Sequence, residues 1–133
     1  MMSMVHQAKA WAHKPDIGLL LIRVAVGMVF FAHGWVKMQN LDGTSAMFVS
    51  LGLPAFAAVF IAYLEVIGGI AMILGVFTRV AAKLFAITML VAIFVTGGIS
   101  TGYFAHEMEL VLLLAALGIM LTGGGKHSLY AWE

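Results

Sequence analysis

Residues 17–38 read IGLLLIRVAVGMVFFAHGWVKM, and this stretch decides the fold. A helix needs about 20 residues, with a range of about 17–25, to cross a hydrocarbon core of about 30 Å. The stretch is long enough. Pro15-Asp16 precedes it, and Gln39-Asn40-Leu41-Asp42-Gly43 follows it. Its only interruptions are Arg23, His33 and Lys37. Residues 1–16 are polar and basic, as in a secretory leader. No small-x-small cleavage pattern follows the apolar run, so it is read as a retained span.

Three further apolar runs extend the reading. They cover about Pro54 to Val76, Val80 to Val95 and Phe104 to Thr122, the last ending at Gly123-Gly124-Gly125. In hydrocarbon every backbone polar group must be satisfied internally, so such runs are helices. No alternating ten-residue strands suggest a barrel. Composition agrees. The chain has 133 residues, 63% hydrophobic and 10% charged, against about 45–50% and about 25% in soluble domains. The expected fold is an all-α membrane protein with four spans at about 17–38, 54–76, 80–95 and 104–122. Residues 1–16 and 123–133 are then the cytoplasmic flanks.

Orientation follows from the basic residues. Lys9, Lys14, Arg79, Lys83 and Lys126 lie at one set of span ends and Lys37 at the other. The positive-inside rule puts both termini in the cytoplasm. The outer loop after the first span is expected to turn at Asp42-Gly43. Thr44 then caps a short helix lying on the membrane surface.

Net charge is +1, with no basic run and no cysteine. Nucleic-acid binding, disulfides and thiolate metal sites are excluded on that basis. No phosphate-binding or nucleophile motif is present, and no metal is expected. A haem would need two histidines at one depth on facing helices. Only His33 and His106 lie on the outer side, and His106 reads as a loop residue.

Ionisable residues inside spans are costly and usually face the bundle interior. At about 100° per residue, Arg23, Gly27, Phe30, Gly34 and Lys37 share one face of the first span, with His33 at its edge. Ala58, Ala62, Glu65 and Gly69 share a face of the second. At 1.5 Å per residue Arg23 and Glu65 differ in height by about 5 Å, which suggests a buried Arg23–Glu65 ion pair. His33, Lys37 and Glu109 fall in the outer third. With Glu65 they form a candidate pocket. Each has a plainer reading: a structural pair, a snorkelling lysine, a packed histidine, a helix-start glutamate. Thr78 and Arg79 read as the cap and anchor of the third span.

These residues also carry a family resemblance. Arg23, His33-Gly34-x-x-Lys37, Phe48-x-x-Leu51-Gly52-Leu53-Pro54 and Glu65-x-x-Gly68-Gly69 occur in order. They are followed by Leu74-Gly75-x-Phe77-Thr78-Arg79-x-Ala81-Ala82, Glu109-Leu110 and Gly123-x-Gly125-x-x-Ser128-Leu129. The set resembles the DoxX family of small four-helix membrane proteins. Gly124 stands where that pattern usually has proline, and Tyr130 where it has an acid. The resemblance implies a protein of the bacterial plasma membrane, linked to respiratory or sulfur redox chemistry or to redox homeostasis. It implies the membrane part of a quinone-coupled oxidoreductase, with electrons supplied by a redox-enzyme partner. In that role His33 or Lys37 donates to the quinone carbonyl and Glu65 or Glu109 exchanges protons. No covalently bound cofactor is expected. The alternatives are a small-molecule transporter or binding protein, with proton coupling through Glu65, and a non-catalytic membrane scaffold. Glycine-lined faces also allow a homo-oligomer.

Overall fold

The computed structural model describes residues 3–130; residues 1, 2 and 131–133, including the end of the expected cytoplasmic tail, lie outside the described part. The described residues form six α-helices in order: α1 Met4–Ala12, α2 Pro15–Gln39, α3 Leu41–Ser50, α4 Phe56–Leu74, α5 Thr78–Val95 and α6 Glu107–Thr122. Two short 3-10 turns, Gly98–Thr101 and Tyr103–Ala105, link α5 to α6. There is no strand among the described residues. Among the described residues three helices are long and apolar enough to cross a membrane: Met4–Gln39 taken as one run, Phe56–Leu74 and Thr78–Val95. α6 has 16 residues, about 24 Å at 1.5 Å per residue. It is short because residues 103–105 form a 3-10 turn instead of its first helical turn.

α2 and α4 run antiparallel in backbone contact. A Cβ at Gly34 would lie 2.8 Å from the Ala62 carbonyl oxygen and 2.7 Å from Glu65 Cβ. One at Gly27 would lie 2.7 Å from the Gly69 oxygen, and one at Gly69 would lie 2.7 Å from the Gly27 oxygen. Only glycine permits this approach. On α4, Ala58, Ala62, Glu65 and Gly69 face the contact and are buried. Arg23, Gly27, Phe30 and Gly34 are buried on α2. α5 and α6 form the second close pair, joined to the first through stacked Phe30 and Phe85, whose ring centroids are 3.7 Å apart. Gly68 makes room for that ring: a Cβ there would sit 2.7 Å from Phe85 Cζ.

The α2–α4 register corrects the expected Arg23–Glu65 pair, which does not form. Arg23 lies beside Ile73, eight residues beyond Glu65 and hence about 12 Å further along α4. Height counting assumed flush helix ends, whereas glycine contacts set the register. Arg23 is 1% exposed and instead holds the segment after α6. Nη1 donates to the Gly124 oxygen at 2.6 Å and to Ser128 Oγ at 2.9 Å. Nη2 donates to the His127 oxygen at 3.0 Å and to the Ile73 oxygen at 3.3 Å. Leu129 N–H and Tyr130 N–H donate to the Leu74 and Gly75 oxygens, both at 3.1 Å. The segment 123–130 is therefore built into the bundle end. Gly75, at φ 77, sits so close to it that a Cβ would meet Ser128 Cα at 2.6 Å.

Two caps differ from expectation. The helix in the loop after α2 starts at Leu41, and Asn40, not Thr44, caps it: Asn40 Oδ1 accepts the Gly43 N–H at 3.1 Å. Asp42-Gly43 thus belongs to the first turn of α3. Thr78 is the first residue of α5 and makes no side-chain cap. Arg79 reaches across to the end of α6, donating from Nη1 to the Met120 oxygen at 3.0 Å.

A leucine at Gly34 must push α2 off α4. Gly34→Leu is expected to destabilise the protein by about 1–3 kcal/mol, read as a lower melting temperature in detergent. Gly118→Ala, whose Cβ meets nothing within 4 Å, is the control and does not lower it.

Candidate functional site

The end of the bundle away from Arg23 contains a cavity of about 450 Å³, within the ~300–1,000 Å³ typical of small-molecule sites. Its walls come from α2, α4, α5 and α6, and α3 roofs it with Met47 and Phe48. Phe30 lies at its floor against Phe85. The lining is overwhelmingly apolar. The ionisable groups in it are His33, Lys37, Glu65 and Glu109. The four candidate pocket residues thus surround one space.

Their roles differ. Lys37 Nζ donates to Glu65 Oε2 at 2.8 Å, with the two side chains 20% and 4% exposed. This is the ion pair that Glu65 makes, and it follows from the register. Gly34 packs against Glu65, and Lys37 lies one turn further on the same face of α2. Lys37 therefore does not snorkel to the surface. A buried carboxylate needs such a partner, because an uncompensated charge in the interior is expensive.

His33 Nδ1 bonds to the Val29 oxygen at 2.8 Å. A carbonyl only accepts, so Nδ1 carries the hydrogen, and in the neutral ring Nε2 is the acceptor. His33 is exposed. Glu109 lines the cavity from α6 but makes no ion pair with Lys37 or His33 among the described residues.

His106, read from sequence as a loop residue, is buried. Its Nε2 bonds to Thr101 Oγ1 and to the Gly98 oxygen, tying the α5–α6 connection together. It does not line the cavity. Phe48, part of the motif that carries the family resemblance, and Thr88, which has no sequence signal beyond its helical context, also line it.

Residues 18–98 match the DoxX family. The chain belongs to the DoxX family. It is 41% identical over 109 residues to "Putative oxidoreductase CatD" of Bacillus subtilis, covering 81% of each chain. It is 28% identical over 117 residues to "Inner membrane protein YqjF" of Escherichia coli, 86% of this chain and 90% of that one. A third relative, "Inner membrane protein YphA" of Escherichia coli, is 42% identical over 69 residues, about half of each chain. No solved structure matches the chain.

As a DoxX protein the chain is membrane-embedded and in contact with the lipid bilayer. The matched DoxX region contains Arg23, His33, Lys37 and Glu65. It ends before α6, so Glu109 and three residues that Arg23 binds, Gly124, His127 and Ser128, lie outside it.

Removing one member of the ion pair leaves the other buried. Lys37→Met is expected to cost about 3 kcal/mol. Adding Glu65→Leu to Lys37→Met restores most of the loss. A double-mutant cycle from chemical denaturation in detergent measures the coupling; additive losses would show that the two groups act separately.

Proposed function

We propose that this DoxX protein binds the head-group of a quinone or quinol in the cavity, as the membrane subunit of a quinone-linked redox or redox-homeostasis system. The observation that carries the reading is the Lys37–Glu65 ion pair set beside His33 in an otherwise apolar space. A quinone head-group is a flat apolar ring with two carbonyl oxygens, and it needs that combination. The relative named as an oxidoreductase supports the redox class.

A bound quinone supplies two-electron, two-proton chemistry. Lys37 has N–H groups beyond the one given to Glu65, and it donates to a ring carbonyl oxygen. His33 takes the complementary role: with Nδ1–H committed to Val29, neutral Nε2 accepts a hydroxyl proton from the reduced ring. This reverses the donor role expected for His33 from the sequence. Glu65 or Glu109 takes the second proton. The electrons are exchanged with a redox-enzyme partner, which supplies them when the ring is reduced and takes them when it is oxidised.

The setting is the bacterial plasma membrane, as the names of the Escherichia coli relatives support. α6 makes the fourth crossing, and both termini are cytoplasmic. The basic residues at the Arg23 end, Lys14, Arg79, Lys83 and Lys126, support that orientation. A fluorescent protein that matures only in the cytoplasm, fused after Glu133, is expected to light up. A dark fusion with intact protein would invert the topology.

Purified protein is expected to melt about 5 °C or more higher at a quinone analogue concentration of about 100 times Kd. His33→Ala and Lys37→Met should remove most of the shift. The reading fails if wild-type protein shows no shift at saturating analogue.

A further inference from the structure

The cavity has a closed end and an open side. Toward the outer loop it is roofed by Met47, Phe48 and Leu51, and Phe48 is buried. At its floor α4 and α5 meet where Phe85 fills the space left by Gly68. Above that level residues of both helices line the cavity. Its lips there are Phe60 on α4 and Ile87 and Val91 on α5, which are 61%, 57% and 42% exposed. These lips are apolar and stand on helices long enough to span the bilayer, so they face acyl chains. The polar groups His33 and Glu109 lie on α2 and α6, away from the lips.

We propose that the cavity takes its ligand sideways from the bilayer, between Phe60 and Val91, and that the ligand is a membrane-dissolved amphiphile whose hydrocarbon chain stays in this gap. The inference rests on the reading of the cavity as a head-group site and fixes the ligand's class further. A small polar solute has no route across apolar lips. A chain-bearing lipid has one, because its head enters first, reaches Lys37 and Glu65, and leaves its chain among lipid chains of equal polarity. Buried Phe48 stands on the direct path from water, beside half-exposed Met47.

The chain has no cysteine, so single thiols can be introduced without background. Thr88, half-buried on the cavity wall, becomes the reporter as Thr88→Cys, and exposed Ser100→Cys is the control. In nanodiscs, where both membrane faces are open, each protein is treated with neutral N-phenylmaleimide or with a sulfonated thiosulfonate. Rates are normalised to Ser100→Cys. The charged reagent should label Thr88→Cys about a hundredfold more slowly than the neutral one, reflecting the penalty on a charge within hydrocarbon. Val91→Trp should slow the neutral reagent several-fold, and Phe48→Ala should not speed the charged one. Equal normalised rates for the two reagents, or control by Phe48 rather than Val91, would overturn lateral entry.

The quinone reading is tested separately on the same protein. A fully substituted benzoquinone with a decyl chain should protect Thr88→Cys, and the same ring without the chain should protect it less. Protection together with fast charged labelling leaves the quinone reading standing and removes lateral entry. Slow charged labelling without protection does the reverse. Equal protection by both rings counts against a chain in the gap.

Discussion

Everything in this bundle follows from how closely α2 and α4 approach. Gly27, Gly34 and Gly69 bring the two backbones to carbonyl contact, and glycines in contact leave no freedom to slide. The register so fixed decides which charge meets which. It sets Lys37 on Glu65 at one level and Arg23 beside Ile73 at another. Two ionic problems that lipid cannot solve are thereby solved in different ways. The carboxylate is neutralised by a lysine, and the guanidinium is surrounded by carbonyl oxygens and a serine hydroxyl.

The two helix pairs are tied firmly at one end and loosely at the other. At the Arg23 end, segment 123–130 bonds to α2 and to the last residues of α4. Arg79 joins α5 to the end of α6, and Asp16 Oδ1 accepts the Lys126 N–H at 3.1 Å. At the far end the pairs meet mainly through aromatic and aliphatic side chains and the short helix α3. A cavity can exist there because no backbone contact closes the seam. Its polar groups come from both pairs, so any shift of one pair against the other changes their spacing.

Much of this was legible in the sequence, for physical reasons that also mark its limit. Apolar runs between Pro, Gly and Asn signals located the long helices, because lipid leaves a continuous apolar stretch little alternative. Helical periodicity put Arg23, Gly34 and Lys37 on one face and Glu65 with Gly69 on another. The four residues around the cavity could be named from those faces and from rough depth. The pairing could not: a depth count ignores register, and register here depends on contacts between glycines on different helices. α1 was missed because Met4–Ala12 lacks a long apolar run. The start of α3 was missed because Asp42-Gly43 reads as a turn until the Asn40 side chain is seen to accept the Gly43 N–H. The segment after α6 looked like a solvent tail, since nothing in its composition reveals that buried Arg23 requires its carbonyls.

That requirement has a bearing on how the protein is made. Gly124, His127 and Ser128, which Arg23 binds, lie 101 to 105 residues after it. At a synthesis rate of about 5–20 residues per second, they emerge about 5–20 s after the arginine itself. Throughout that interval the cell must hold a guanidinium that the finished protein keeps from lipid. Insertion machinery, a lipid phosphate or a local inflow of water has to stand in for Gly124, His127 and Ser128 until they arrive.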